Sequence, residues 1–236
     1  MIYLLGKDDP FPPIEEALEE PNGLLAVGGD LSPQRLLYAY RLGIFPWFNP
    51  GDPILWWSPN PRMVLHLEDL KISRSLKKSL ARANIEIRFD TAFRQVMENC
   101  ALPRKNQDGT WISSAMIDAY CNLHTMGYAH SVEVYQHGTL CAGLYGIAMG
   151  QIFFGESMFT HIRDGSKIAL VHLVSHLQKK GYALIDCQVV SEHLSRLGAK
   201  TMDRKDFNRL LQKAISSLEP GAWHDTSIDV HDIKTK

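Results

Sequence analysis

The chain has 236 residues, of which 45% are hydrophobic and 22% are charged, a balance typical of a globular protein with a sizeable core. Its net charge of -1 excludes a positive charge spread over the whole surface, so any nucleic-acid contact must come from a local patch. Its four cysteines include no CxxC pair, which argues against a zinc knuckle or a redox dithiol.

Two stretches bear on where the protein works. The N-terminal MIYLLGKDDPF lacks the basic and apolar regions of a signal peptide. Residues 138–155 carry no charge, but five glycines interrupt them, which favours buried strands over a membrane helix. We therefore expect a soluble, cytoplasmic protein without a membrane partner.

Residues 1–62 are predicted to form a small N-terminal lobe rich in Trp, Pro and loops. Ser32 followed by Pro33 is a favourable helix start, because a hydroxyl caps the first turn and proline is tolerated at the first helical position. Beyond that helix, closely spaced prolines forbid long regular elements. The composition then becomes ordinary, so a second domain is predicted over 63–236.

The second domain shows alternating helix and strand patterns. Apolar residues three or four apart predict helices, and alternation of apolar and polar residues predicts strands. The predicted helices span 71–84, 91–99, 114–126, 166–180, 191–197 and 203–218. The predicted strands span 85–89, 131–136, 139–150, 151–159 and 183–190. This order is typical of an α+β (mixed α/β) domain with a central, largely antiparallel sheet.

Three polar residues stand in strongly apolar segments. Glu156 lies in FFGESMF; it is either a solvent-facing residue or a buried charge that needs a cation or hydrogen-bond donors. Asp186 and Gln188 lie in LIDCQVV, two apart and so on one face of a strand. That strand is either a solvated edge or carries an ordered polar site. Cys187 between them is expected to be a small buried hydrophobe, not a nucleophile.

Several cofactor signatures are incomplete in this chain. His172 and His176 have the spacing of a zinc pair, but Leu173 stands where the general base of a zincin would be, so no metal is expected. The DGSK segment is not a GxxxxGK[ST] loop, so ATP is unsupported. The usual pyrophosphate loop of acyl-CoA acetyltransferases is also missing, which weakens a CoA assignment.

Two features could serve nucleic-acid binding. Four basic residues of the predicted helix 71–84 share one face, which is either a solvated surface or a phosphate-binding patch: Arg74, Lys77, Lys78 and Arg82. Tryptophans in proline-rich loops are either core plugs or platforms on which unpaired bases stack, at about 1–3 kcal/mol each. The candidates are Trp47, Trp56, Trp57 and Trp111.

The chain resembles the bacterial leucyl/phenylalanyl-tRNA–protein transferases over about residues 20–210. The resemblance rests on EPNGLLAVGGDLSP, YRLGIFPWF, PGDPILWWSPNPR, ISRSL, GTWI, GYAHSVEV, FFGESMF, SKIAL, LIDCQVV and HLSRLGA. It implies a small N-terminal lobe on an acetyltransferase-like domain. It also implies transfer of Leu, Phe or Met from aminoacyl-tRNA to proteins that begin with Arg or Lys, which marks them for degradation by the N-end rule.

The resemblance also implies roles for individual residues. Trp47 and Trp111 match positions that sandwich the terminal adenine, while Glu156, Asp186 and Gln188 match the polar catalytic site. The basic patch above would then bind tRNA phosphates. The amino-acid side-chain pocket maps to five apolar residues: Leu144, Phe153, Phe159, Leu173 and Ile185. No cofactor or metal is implied.

Three positions depart from the pattern of the family. The family often has Met where this chain has Leu144, Phe where it has Leu173, and Asn where it has Ser191. We expect the roomier wall at residue 173 to accept a Phe side chain without steric penalty.

The reaction starts from an activated ester, so no covalent intermediate is needed. We expect Gln188 to accept a hydrogen bond from the attacking amine. Asp186 is expected to orient Gln188 and to stabilise the positive charge growing on nitrogen, while the ribose 2′-hydroxyl or water moves the protons; direct proton relay through this pair is the alternative. Glu156 is expected to hold either the α-ammonium of the donor amino acid or the basic side chain of the acceptor. Two rival functions are an acyl-CoA N-acyltransferase and a non-catalytic tRNA-binding protein.

Overall fold

A computed structural model of the chain describes residues 2–81, 84–103, 110–215 and 223. It contains one four-stranded and one seven-stranded sheet, with helices packed against them. The expected mixed α/β class with a largely antiparallel central sheet is therefore confirmed. Within the described ranges, no helix has the length and apolar character needed to cross a bilayer.

All four strands of the smaller sheet fall within residues 1–62, the predicted N-terminal lobe. Its strands are β1 (Tyr3–Leu5), β2 (Leu24–Gly28), β3 (Phe45–Pro46) and β4 (Leu55–Trp57), in the order β1-β2-β4-β3. The lobe thus has more regular structure than its prolines suggest, in strands of two to five residues. Helix α1 (Pro33–Arg41) begins where expected, because the Ser32 hydroxyl accepts a hydrogen bond from the Arg35 N–H at 3.3 Å.

The larger sheet has the order β11-β5-β10-β9-β8-β7-β6. Its strands are β5 (Arg62–His66), β6 (Ile85–Phe89), β7 (Ala129–Gln136), β8 (Thr139–Met149), β9 (Ile152–Thr160), β10 (Leu184–Gln188) and β11 (Lys200–Met202). Neighbouring strands run antiparallel except β9 and β10, which are parallel. The sequence patterns predicted β6 to β10 but not β5 or β11.

The described residues after position 62 form six α-helices: α2 (Arg74–Leu80), α3 (Phe93–Cys100), α4 (Ser114–Thr125), α5 (Gly165–Lys179), α6 (Glu192–Arg196) and α7 (Arg204–Ala214). Helix α2 begins later than the predicted 71–84, because Ser73 caps it by accepting the Leu76 N–H at 3.2 Å, and it ends at Leu80. Arg82, a member of the predicted basic patch, lies outside the described residues.

The large sheet separates two apolar clusters. One cluster joins the lobe, α3 and α4, and includes Tyr40, Tyr120 and Phe154. The other packs α2 and α5 against the opposite face, and includes Leu76 and Leu173. Helix α1 contacts α4 within the first cluster. Tyr40 of this helix also reaches the large sheet, where its ring lies 5.1 Å from that of Phe154 in β9.

Candidate active site

Strand irregularities at one end of the β9–β10 pair create the site. The two strands pair in regular parallel register from Leu184 opposite Ile152 to Asp186 opposite Phe154. Beyond this point Glu156 is an extra residue in β9, because Tyr145 pairs with Ser157 and Gly146 with Gly155.

Strand β10 is irregular at the same end. Its pairing with β5 shifts between Asp186 and Gln188, and Gln188 has φ of 64°, a left-handed conformation rare outside glycine. Bulges of this kind re-aim side chains next to functional sites.

Glu156 is held by three side chains from three other elements. Its Oε1 accepts hydrogen bonds from the Tyr40 hydroxyl at 2.8 Å and from Gln188 Nε2 at 2.9 Å. Its Oε2 lies 3.3 Å from the Tyr120 hydroxyl. The sequence left open whether Glu156 faces solvent or meets donors; the structure shows donors.

The Glu156 carboxyl and the two tyrosine hydroxyls form a closed triangle of contacts, since the Tyr40 and Tyr120 hydroxyls also lie 2.5 Å apart. Two hydroxyls carry two hydrogens, which serve at most two of the three contacts when Glu156 is ionised. A third hydrogen on Glu156 would satisfy every contact. The geometry therefore accommodates a proton on this carboxyl.

The electrostatics agree with that hydrogen count. Burial raises the pKa of Glu156 from 4.5 to about 7, and the Asp186 charge adds to this, while hydrogen bonds from Tyr40, Gln188 and Tyr120 oppose it. Burial, followed by the charge of Glu156, raises the pKa of both tyrosines well above 10. Glu156 is thus the group of this triangle that titrates near neutral pH.

Asp186 sits behind this triangle in a buried ion pair. Arg62 Nε and Nη2 donate to its Oδ1 and Oδ2 at 2.8 and 2.6 Å, and neither side chain is exposed. The same Oδ1 accepts the backbone N–H of Gln188 at 2.9 Å. Strand β10 lies inside the sheet, between β5 and β9, so the interpretation of Asp186 on a solvated edge is wrong.

Two aromatic rings and a backbone carbonyl fix the position of the Arg62 guanidinium. Its guanidinium lies between the rings of Phe45 and Phe207, at 4.9 and 4.7 Å from their centroids. Its Nη1 donates to the Gly43 carbonyl at 3.0 Å. Arg62 is not among the residues predicted for the site, although a charged residue at the start of the apolar run RMVLH is a signal that could have revealed it.

A cavity of about 300 Å³ opens beside Glu156 and Gln188. Four of the five residues expected in an apolar pocket line it: Leu144, Phe153, Leu173 and Ile185. Cys187 also lines it, and burial followed by the Asp186 charge raises the pKa of its thiol far above the ordinary value. This thiol therefore stays protonated, as expected of a small hydrophobe.

Phe159 does not line this cavity, contrary to expectation. On a regular strand Phe153 and Phe159 would share a face, because they are six residues apart. The extra residue at Glu156 reverses the alternation, so Phe159 belongs to the other apolar cluster, which also includes Val96 of α3. Met158 lines the cavity instead.

The two predicted adenine-stacking residues differ in position. Trp111 is half-buried and lines the cavity. Trp47 is 43% exposed on the lobe, tilted against Trp57 at a centroid distance of 5.8 Å, and does not line the cavity. Trp56 is fully buried and so is a core plug.

The basic residues of α2 and the two histidines of α5 do not line the cavity. Arg74, Lys77 and Lys78 are exposed on α2, as a phosphate-binding face requires. His172 and His176 are buried, and burial lowers the pKa of each to about 4. The described part of the chain contains no group of three or more His, Cys, Asp or Glu side chains that could hold a metal ion.

Comparison with known proteins assigns the family. The family model described as leucyl/phenylalanyl-tRNA protein transferase matches residues 64–212, and the model of its N-terminal domain matches residues 29–60. A leucyl/phenylalanyl-tRNA–protein transferase of Nitrosomonas eutropha is 57% identical over 95% of this chain and 96% of its own length. That of Nitrosomonas europaea is 59% identical over 90% of each chain.

Among solved structures, a GCN5-related N-acetyltransferase from Kribbella flavida aligns with 71% of this chain and 60% of its own, at 11% identity and a TM-score of 0.38. The sequence matches carry the assignment. The chain belongs to the leucyl/phenylalanyl-tRNA–protein transferase family and is an aminoacyltransferase.

Proposed function

We propose that the protein transfers Leu or Phe, and also Met, from aminoacyl-tRNA to the N-terminal Arg or Lys of acceptor proteins, marking them for N-end-rule degradation. The observation that carries the proposal is the apolar cavity of about 300 Å³ directly beside the Glu156–Gln188 pair. This volume lies at the lower end of the range for small-ligand sites, and the apolar lining suits a Leu or Phe side chain. Glu156 and Gln188, which also line the cavity, offer polar groups to the reacting amine and ester.

The proposal divides recognition of the donor between two surfaces. The aminoacyl side chain enters the cavity, and the terminal adenine stacks on Trp111, with Trp47 as the second platform supplied by the lobe 1–62. Unpaired bases at RNA ends are commonly read in this way. Phosphates of the acceptor stem lie along Arg74, Lys77 and Lys78, which adds affinity without sequence choice.

The chemistry is aminolysis of an ester. The α-amine of the acceptor attacks the aminoacyl carbonyl, the C–N bond forms, and the bond to the ribose 3′ oxygen breaks. The amine loses one proton and the leaving oxygen gains one, so no redox partner, CoA or metal is needed. Correct placement of amine and ester supplies a large share of the acceleration.

Gln188 and Glu156 are proposed to handle the amine. Because Gln188 Nε2 donates to the Glu156 carboxyl, its carbonyl oxygen is left to accept a hydrogen bond from the amine. Glu156 accepts the proton, since its pKa of about 7 lies close to the 7.7–8.0 of an α-ammonium.

In this scheme Asp186 keeps the expected role of orienting Gln188 but does not have the expected electrostatic role at the attacking nitrogen. Its charge is neutralised by Arg62, so it holds the Gln188 backbone and does not stabilise the growing positive charge directly. It is therefore a positioning residue, not the proton acceptor.

The test is transfer of radiolabelled Leu from Leu-tRNA to a model protein without added CoA. Matched acceptors differ only in their first residue, Arg, Lys or Asp, and an N-acetylated Arg acceptor is the control for a free amine. Labelling of the Arg and Lys acceptors alone supports the proposal. Equal labelling of the Asp acceptor contradicts the acceptor choice, and labelling that requires CoA contradicts the reaction.

A further inference from the structure

A tryptophan beyond the span of the family model is buried against the core of the catalytic domain. The family match ends at residue 212, whereas Trp223 is only 3% exposed. Its indole packs with residues of the cluster that includes the cavity wall. A buried indole must pack against other side chains. Residues from several segments of the fold supply these contacts.

The surface that receives Trp223 is formed by β6, β7, α5 and the turn after β6. The His130 ring stacks on the indole at a centroid distance of 4.0 Å and an interplanar angle of 3°. His176 lies at 4.4 Å and Phe89 at 6.3 Å. The backbone N–H of Trp223 donates to Asp90 Oδ2 at 3.2 Å.

Hydrogen bonds fix the orientation of the His130 ring against the indole. Its Nδ1 lies 2.7 Å from Asp90 Oδ2 and its Nε2 lies 3.1 Å from the Gly127 carbonyl. Contact between aromatic rings stabilises a buried pair beyond the area that it removes from water. An aliphatic side chain at position 223 would lose this contribution.

The same indole supports the wall of the cavity. Its centroid lies 5.7 Å from that of the Phe153 ring, tilted by 31°, and Phe153 is fully buried and lines the cavity. Trp223 thus stands directly behind one wall residue. Close-packed interiors leave few voids, so the indole limits how far the Phe153 ring can retreat.

We propose that Trp223 is a positioning residue that sets the depth of the donor pocket through Phe153. The inference rests on the proposed function, because it assumes that the cavity holds the aminoacyl side chain. Removing the indole leaves space behind Phe153, and the ring moves into it when a large donor enters. The deeper pocket favours Phe over Leu.

The experiment measures kcat/KM for Leu-tRNA and Phe-tRNA with the full-length protein and an Arg-starting acceptor. Trp223→Ala is expected to raise the Phe-to-Leu ratio roughly tenfold, the discrimination that about one methylene gives in an apolar pocket. Trp223→Phe keeps a ring against Phe153 and is expected to restore the ratio to within about twofold of wild type. Circular dichroism and thermal unfolding show that each variant is folded.

Leu67→Ala is the matched control. Leu67 is buried in the same apolar cluster but does not line the cavity, so its loss destabilises the fold without changing the pocket. An unchanged ratio in folded Trp223→Ala, or an equal change in Leu67→Ala, would overturn the inference. If Trp223→Ala does not fold, Trp223→Leu takes its place. This variant also lacks the indole, so it must raise the Phe-to-Leu ratio of kcat/KM. Failure of the wild type to use either donor refutes the proposed function itself, which separates the two failures.

Discussion

Arg62 and Asp186 form a two-point ion pair, wholly buried, directly behind Gln188. The pair connects the first residue of β5 to the end of β10, where the backbone of Gln188 turns into a left-handed conformation. A bidentate Arg–carboxylate contact is rigid as well as strong. The backbone of Gln188 is therefore held by a charge pair that does not itself line the cavity.

Replacing Arg62 by Met is expected to destabilise the fold by about 3–5 kcal/mol, because Asp186 would keep an uncompensated buried charge. The double variant Arg62→Met/Asp186→Leu should regain most of that free energy, since no charge remains buried. It should still lack transfer activity, because nothing then holds the Gln188 N–H. Urea unfolding and the transfer assay measure both effects.

The outcome that would contradict this interpretation is an Arg62→Met variant with wild-type unfolding free energy. Full activity in the double variant would equally count against a positioning role for Asp186.

The helices and most strands after residue 62 were largely predictable from periodicity, and the resemblance to the family named most residues of the site, but the geometry of the site was not predictable. The cap at Ser32 and strand β6 follow directly from local patterns. The extra residue at Glu156 and the positive φ of Gln188 depend on tertiary packing, which no local pattern specifies. For the same reason the face of Phe159 was predicted incorrectly.

Glu156 makes the stability of the protein depend on pH in a predictable direction. The unfolded chain releases this proton near pH 4.5 and the folded chain near pH 7, so the folded state binds more protons between these values. Stability contributed by this group therefore falls as pH rises from about 4.5 to above 7, by at most about 3 kcal/mol. Glu156→Gln should remove that fall and also lose transfer activity.

The measurement is the free energy of unfolding at pH 5 and pH 8 for wild type, Glu156→Gln and the control Glu98→Gln, which alters an exposed carboxylate. The Glu156→Gln variant should gain stability relative to wild type at pH 8 only. An equal gain at both pH values would mean that the carboxyl does not titrate in this range.

The exposed face of α2 should supply salt-dependent affinity for tRNA. Lys77→Glu/Lys78→Glu is expected to weaken binding and to reduce the slope of log affinity against log salt by roughly 1 to 2, because each phosphate contact releases counterions. Lys205→Glu/Lys213→Glu makes the same change of charge on α7, where both lysines are exposed, and should leave the slope near that of wild type. If both double variants show the same slope of log affinity against log salt, the α2 face does not bind phosphates and is only a solvated surface.

The donor pocket should choose among amino acids by shape as well as burial. Each methylene buried against Leu144, Phe153 and Ile185 is worth about 0.8 kcal/mol, which rewards Leu, Met and Phe. Burial alone would also reward Ile and Val, so their rejection requires walls that clash with branching at Cβ. We expect Leu and Met donors to be accepted, Phe not to be disfavoured, and Ile and Val to be rejected.

Leu173 provides the matched variant for this prediction. It is buried and lines the cavity, so Leu173→Phe should fill space and lower the use of Phe-tRNA more than that of Leu-tRNA. Competition between charged tRNAs in one reaction measures the ratios directly. If Ile is transferred as efficiently as Leu, the cavity is not the side-chain pocket. Apolar burial alone, without selection by shape, would then account for the use of each donor amino acid.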